Sequence, residues 1–236
     1  MSLAGPFGTI PAVPVDIGIV VTARDEADRL ADTLAALAQA FPGAAVVVAD
    51  DGSSDGTGQV ALEAGAGLVR SERPIGKGGA ATLGAESVLD QGVTRALVLC
   101  DGDLGRSARQ LPALVDALDR GEGDLAVAAF ARSRGGGFGI ALGFAGRAIR
   151  GLTGLEPRAP ISGQRALRPE VARAVLPFAR GFGMEIGMTV DAHRAGFTLV
   201  EVELDLEHRF TKRTVGGFVH RARQLLDFAR VYASRR

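Results

Sequence analysis

Tryptophan is absent from this chain, and cysteine and tyrosine each occur once. A single cysteine excludes an intramolecular disulfide and a cysteine-based zinc site, and it suits a reducing cytoplasm. No apolar run approaches the ~20 residues of a membrane-spanning helix. Residues 1–14 are rich in Gly, Pro and Ala but have no basic stretch ahead of an apolar core, so they read as a flexible leader and not as a secretory signal. Net charge is also missing, because 27 Lys and Arg balance 27 Asp and Glu.

What is present describes a folded domain. Hydrophobic residues make up 47% of the 236 and charged residues 23%, enough to bury a substantial core within one domain over residues 15–236. The balanced total hides an uneven distribution. Residues 131–168 carry seven Arg against Glu156 alone, and residues 206–236 carry eight Lys or Arg against Glu207 and Asp227. A basic second half beside an acidic first half suits an anionic partner, a phosphate or a membrane surface. For any single Arg, a solvated helix face is the simpler explanation.

The first half alternates predicted strands and helices. Asp16–Thr22, Ala45–Ala49, Leu68–Arg70, Ala96–Cys100 and Leu125–Phe130 read as strands. Between them lie helical patterns: Asp25–Ala40 with Leu30, Leu34 and Leu37 in one stripe, a helix after Asp55, one from Gly76 to about Leu89, and one carrying Leu111, Leu114, Val115 and Leu118. This alternation predicts an α/β fold with a mostly parallel sheet flanked by helices. Beyond Phe130 the pattern is weaker. Arg132–Gly154 mixes Gly, Arg and apolar residues, Thr198–Leu204 reads as a strand, and Val215–Tyr232 as a basic amphipathic helix.

The residues with chemistry sit where strands end, which is where open α/β sheets bind ligands. Asp101 and Asp103 flank Gly102 after the apolar run Ala96–Cys100, so both carboxylates can meet one hard divalent ion, which can hold a diphosphate. Two surface-turn carboxylates, one of them a helix cap, are the simpler alternative, and the strand-end position argues against it. Asp50-Asp51-Gly52-Ser53-Ser54-Asp55-Gly56-Thr57 ends another strand. Its small polar residues suit a capped turn, but a turn alone does not explain two adjacent acids. Gly76-Lys77-Gly78-Gly79 lacks the full phosphate-loop pattern and by itself reads as a turn with a solvated lysine. His208, just past the last predicted strand, is a third candidate metal ligand, with a structural role as the alternative.

Taken together, Val20-Val21-Thr22-Ala23-Arg24-Asp25-Glu26, Asp50 to Thr57, Gly76-Lys77-Gly78-Gly79-Ala80 and Asp101-Gly102-Asp103 resemble the family 2 glycosyltransferases of GT-A fold. The resemblance is strong over about residues 16–130. It continues more loosely through Ile161-Ser162-Gly163-Gln164-Arg165 and Gly181-Phe182-Gly183-Met184-Glu185, which resemble acceptor motifs of the dolichyl-phosphate mannosyltransferase-like and glucosyl-3-phosphoglycerate synthase-like branches. It implies a nucleotide-sugar half over residues 15–130 and an acceptor half over 131–236. In the first half, Thr22, Ala23, Arg24 and Glu26 line the nucleotide pocket, Asp51 reads the base with Asp50 beside it, and Lys77 sits near the nucleotide. Asp101, Gly102 and Asp103 meet the diphosphate, and Asp101, Asp103 and His208 hold Mg²⁺ or Mn²⁺.

Two departures from the family pattern matter. Thr-Ala-Arg-Asp-Glu stands where Pro-x-Tyr-Asn-Glu is usual, and the Glu-Asp pair and Gln-x-x-Arg-Trp motif of polysaccharide polymerases are missing. An acceptor that is already anionic needs no base to remove its proton. The expected acceptor therefore carries phosphate, with polyprenyl phosphate at the cytoplasmic face first and a small acceptor such as 3-phosphoglycerate, used with retention, second. Arg132 and Arg165 are candidates to grip that phosphate, with Ser162 and Gly163 beside them. Asp103, Glu185 and Arg165 are the expected catalytic set. Glu185 has an equal structural reading as a helix-start acid. Phe138–Phe144 with Arg147 and Arg150 suits contact with a bilayer surface, a core helix or a flap. No nucleic-acid partner is expected, and a homodimer is left open. A nucleotidyltransferase and a non-catalytic nucleotide-binding module are the remaining alternatives.

Overall fold

A computed structural model describes residues 15–130, 139–206 and 226–236. Seven strands form one sheet: β1 (Ile17–Ala23), β2 (Ala45–Asp50), β3 (Gly67–Arg70), β4 (Ala96–Asp101), β5 (Leu125–Phe130), β6 (Arg165–Leu167) and β7 (Leu199–Leu204). Their order is β3-β2-β1-β4-β6-β5-β7. β1 pairs parallel with β2 and β4, β2 with β3, and β5 with β7. Only β6, among the described strands, runs against its neighbours β4 and β5. The chain leaves β1 toward β2 and β3, then returns to β4 on the other side. The crevice between β1 and β4 is thus a topological switch point, the usual ligand position in such sheets.

Helices cover both faces because the strands alternate their side chains. Ile19, Val21, Val98 and Cys100 face α1 (Leu30–Ala40), α2 (Thr57–Glu63), a 3-10 turn at Gly105–Gln110 and α4 (Pro112–Asp119). Val20, Val47, Leu97 and Leu99 face α3 (Lys77–Leu89), α6 (Pro169–Val175) and α7 (Met184–Arg194). A third cluster joins α5 (Gly139–Thr153), α7 and a helix over residues 226–234 through Ile149, Ile186, Val190, Phe228 and Val231. Gly84 lets α3 lie close on the sheet, since a β-carbon there would fall 2.6 Å from Val20 Cγ1 and 3.1 Å from Ala49 Cβ.

Several expectations need revision. The first helix begins at Leu30 and not at Asp25, because Asp25 has a left-handed backbone (φ 54°) and its neighbours are bonded to another loop. Residues 139–153 of the ambiguous Gly- and Arg-rich stretch are helical. The three-residue β6 was not foreseen. Of the expected Val215–Tyr232 helix, residues 215–225 lie outside the described part, as do Arg132 and His208, and residues 226–232 are helical. No helix among the described residues is long and apolar enough to cross a membrane.

Candidate active site

The carboxyl ends of β1 and β4 adjoin at the switch point. Thr22 and Asp101 are register partners across β1 and β4, so the Thr22 hydroxyl reaches Asp101 Oδ1 at 3.0 Å. Lys77, the first residue of α3, places Nζ 2.7 Å from the same oxygen and 3.0 Å from Glu185 Oε1 in the first turn of α7. The Gln164 amide donates to Asp101 Oδ2 at 2.8 Å from the start of β6. Burial opposes the charge on Asp101, but Lys77 and the bonds from Thr22 and Gln164 hold its carboxyl below the ordinary range. Burial likewise opposes the Lys77 ammonium, and Asp101 and Glu185 together raise it above the usual lysine value. Both groups are therefore charged at neutral pH.

Gly163 explains why this contact is so close. A β-carbon there would lie 2.4 Å from Lys77 Nζ and 2.9 Å from Asp101 Oδ2. Gly102 sits similarly tight, with a β-carbon 3.2 Å from that of Ala23. Asp103 lies three residues past Cys100 and is half-buried. Burial, with Asp101 next to it, pushes the Cys100 thiol well up, so it stays protonated and is no thiolate ligand. Among the described residues no group of three or more His, Cys, Asp or Glu gathers as a metal cage.

The motif Asp50 to Thr57 divides its acids between two tasks. Asp50, 1% exposed, accepts the Ser53 amide at 2.8 Å and its hydroxyl, with Arg70 Nε 3.3 Å from Oδ2. Asp51 accepts the amides of Ile75 (2.6 Å) and Gly76 (3.0 Å), pinning the turn that launches Lys77 into the site. Gly76 has φ 87°, a left-handed conformation that favours glycine. The serines and Asp55 mostly join two loops. The Asp25 amide donates to Ser53 Oγ (3.0 Å), the Glu26 amide to Thr57 Oγ1 (2.9 Å) and the Ser54 amide to Asp25 Oδ1 (2.8 Å). Asp55 accepts the Ala27 and Thr57 amides. Arg24 is exposed beside this seam, its Nε 3.9 Å from Asp25.

Arg165 is not on the surface of the site. Its side chain is fully buried under β6, donating to Ser162 O (2.9 Å) and Thr189 Oγ1 (3.0 Å), while Nη2 has no hydrogen-bond partner. Burial lowers its pKa to about 10 against Glu185 and Glu201, so it remains a cation at neutral pH. Ser162, also buried, has its hydroxyl 3.3 Å from Gln164 Oε1. Several other basic residues of the second half are paired with acids: Arg150 with Glu156, Arg158 with Glu201, and Arg168 with Asp124. Sequence reasoning missed Gln164 as an Asp101 partner and Arg70 at Asp50. Gln164 lies inside the motif Ile161 to Arg165, which marks the residue but not its partner.

The family model for glycosyl transferase family 2 matches residues 18–174. An undecaprenyl-phosphate mannosyltransferase of Micrococcus luteus is 29% identical over 206 residues, 80% of this chain and 83% of that protein. A glucosyl-3-phosphoglycerate synthase of Mycolicibacterium paratuberculosis is 31% identical over 220 residues, and the chain spans 65% of its length. A crystal structure of the Mycobacterium tuberculosis glucosyl-3-phosphoglycerate synthase with Mn²⁺, UDP and glucosyl-3-phosphoglycerate superposes at a TM-score of 0.72. That match has 25% identity and covers 93% of this chain and 80% of that one. A second, with Mn²⁺, UDP and phosphoglyceric acid, gives 0.71 and 26%, over 92% and 78% of the two chains. The chain belongs to glycosyl transferase family 2 and has the GT-A fold. That membership sets aside the nucleotidyltransferase and the non-catalytic module.

Proposed function

We propose that this glycosyltransferase moves a hexose from a GDP- or UDP-linked sugar to a polyprenyl phosphate, as a cytoplasmic protein acting at the inner membrane face. The observation that carries the reading is the Asp101 carboxylate, gripped by Lys77 at 2.7 Å at the switch point, with Asp103 one residue beyond Gly102. The oxygen donors fit a Mg²⁺ or Mn²⁺ ion. One or two carboxylates plus substrate phosphates are the usual Mg²⁺ site, and Asp101 is ionised. Asp101 and Asp103 would hold it. His208 would add to that set in this reading. The ion, when bound, supplies Lewis-acid stabilisation of charge growing on the leaving diphosphate.

The protein's own groups have separate tasks in this reading. Lys77 keeps its proton and offers a fixed positive charge next to Asp101, where a leaving diphosphate would gather charge. Glu185, 4% exposed and 3.0 Å from Lys77, orients that ammonium. A phosphate oxygen attacks without a base, so Glu185 need not accept a proton. Arg165 works from beneath, bracing Ser162 and the Gly163 backbone on which the pair rests.

Support for the lipid acceptor is the match to the undecaprenyl-phosphate mannosyltransferase, which spans most of both chains. A second reading, a soluble retaining transferase to a small acceptor such as 3-phosphoglycerate, is supported by the solved relatives that hold phosphoglyceric acid or its glucosyl product. Radiolabelled UDP- and GDP-sugars offered with undecaprenyl phosphate or 3-phosphoglycerate, in Mn²⁺ or EDTA, separate the two. Label entering the organic phase supports the lipid acceptor, and label in a water-soluble product the small one. Calorimetry that finds no metal-dependent binding of any nucleotide sugar refutes the transferase chemistry altogether.

A further inference from the structure

We infer that Thr33, a side chain of α1 outside every motif, is a positioning residue for the loop Asp101-Gly102-Asp103; the inference rests on the proposed metal-dependent function. Thr33 is fully buried. Its hydroxyl donates to Gly102 O at 2.7 Å and accepts the Gly105 amide at 2.8 Å. The two bonds attach on either side of Asp103 and Leu104, so the hydroxyl closes a ring around the residue that carries the second carboxylate. Arg29 O, at 3.4 Å, is a much longer alternative for the single proton.

The rest of the loop is held to match. The Gly102 amide donates to Thr22 O (2.9 Å), Arg29 Nη1 to Asp103 O (3.3 Å) and the Ser107 hydroxyl to Leu104 O (2.7 Å). Leu104 is fully buried, and Gly105 turns the chain with φ 54°. Packing does not require a hydroxyl at position 33. Leu30, Leu34, Leu104 and Leu111 already fill this interface, and valine has the same shape as threonine. What the hydroxyl adds is two bonds to the backbone around Asp103, the same kind of support that outer-shell partners give to metal ligands.

The test measures Mn²⁺ affinity by electron paramagnetic resonance, in the presence of UDP or GDP, whichever the wild-type protein binds. T33V keeps the shape and removes the hydroxyl, and T33S keeps the hydroxyl. The expected result is a Mn²⁺ affinity weakened about 10–100-fold in T33V, near wild type in T33S, with nucleotide binding in EDTA unchanged in both. If T33V is not recovered folded, T33C, with a far weaker donor and acceptor, is judged by the same criteria. Equal Mn²⁺ affinity in wild type and T33V overturns the inference, and so does equal loss in T33V and T33S. A wild-type protein that binds no Mn²⁺ removes the proposed function itself, an outcome distinct from the other two.

Discussion

Replacing Lys77 with methionine tests the electrostatic centre of the site most directly. Lys77 Nζ lies 2.7 Å from Asp101 and 3.0 Å from Glu185, so one cation neutralises two carboxylates. At an effective dielectric of about 20, unit charges ~4 Å apart attract by about 4 kcal/mol. That figure must be discounted. The Asp101 side chain is 32% exposed and regains water in the variant, whereas the Glu185 side chain is 6% exposed and does not. Arg165, which lies within electrostatic reach of Glu185, restores part of the loss. Removing one partner of a buried pair costs about 3–5 kcal/mol, and these two corrections bring the expected deficit of K77M to about 2–3 kcal/mol at neutral pH.

The pH dependence separates charge from packing. The Asp101 pKa is lowered on folding, so its contribution is present above the ordinary value of about 3.9 and is lost as pH falls through the folded value. The Lys77 pKa is raised, so its contribution is present below about 10.4 and is lost as pH rises through the folded value. The stability gap between wild type and K77M is therefore widest between those limits and narrows on either side. Urea denaturation over an acid-to-alkaline series measures it. An equal gap in acid and at neutrality would refute the electrostatic account, as would no gap at neutrality.

Three further changes probe neighbouring parts of the site. D103N is expected to remove the metal-dependent part of UDP or GDP binding with little change in Tm, and calorimetry that still finds a full Mn²⁺ effect contradicts the ligand role. G163A pushes a methyl against Lys77 and Asp101, whose side-chain ends give way before the backbone does. It should lower transfer by about 100-fold while the melting curve barely moves, and unchanged kcat/KM would show that the close approach is dispensable. R165K cannot span both Ser162 O and Thr189 Oγ1, so its stability should fall by about 1–3 kcal/mol in urea; a wild-type midpoint would show that the buried fork is not a strut.

The first half of the fold was legible because its signals are local. β4 was visible as the run Ala96–Cys100, fully apolar and, in the structure, 0–1% exposed throughout. The α1 stripe of Leu30, Leu34 and Leu37 was likewise visible, but its start was not. Asp25 to Ala27 carry helix-like composition, yet their amides are bonded to Ser53, Thr57 and Asp55, roughly thirty residues on. β6 was hidden for a related reason. It is three residues long and begins with an arginine, so neither length nor alternation marks it. Only the burial of Arg165 between Ser162 and Thr189 makes that charge compatible with a central strand.

The site divides along the same line. Asp50, Asp51, Asp101 and Asp103 could be read from the sequence because each follows an apolar run that ends in acids. Their tasks could not, because these depend on which distant groups the fold delivers. Asp51 appeared as a base-reading acid, yet both its oxygens accept amides of the turn before Lys77. That single clamp places the one lysine which neutralises Asp101 and Glu185. The acid at the end of β2 thus governs the charge at the end of β4 through the start of α3. Asp101 is oriented from three further elements, by Thr22 on β1, Lys77 on α3 and Gln164 at β6, and none of these pairings leaves a pattern in sequence spacing. In the proposed function, Asp101 and Asp103 are therefore ligands whose geometry is decided elsewhere in the chain, and substitutions at those supporting positions should change metal and donor binding without touching either carboxylate.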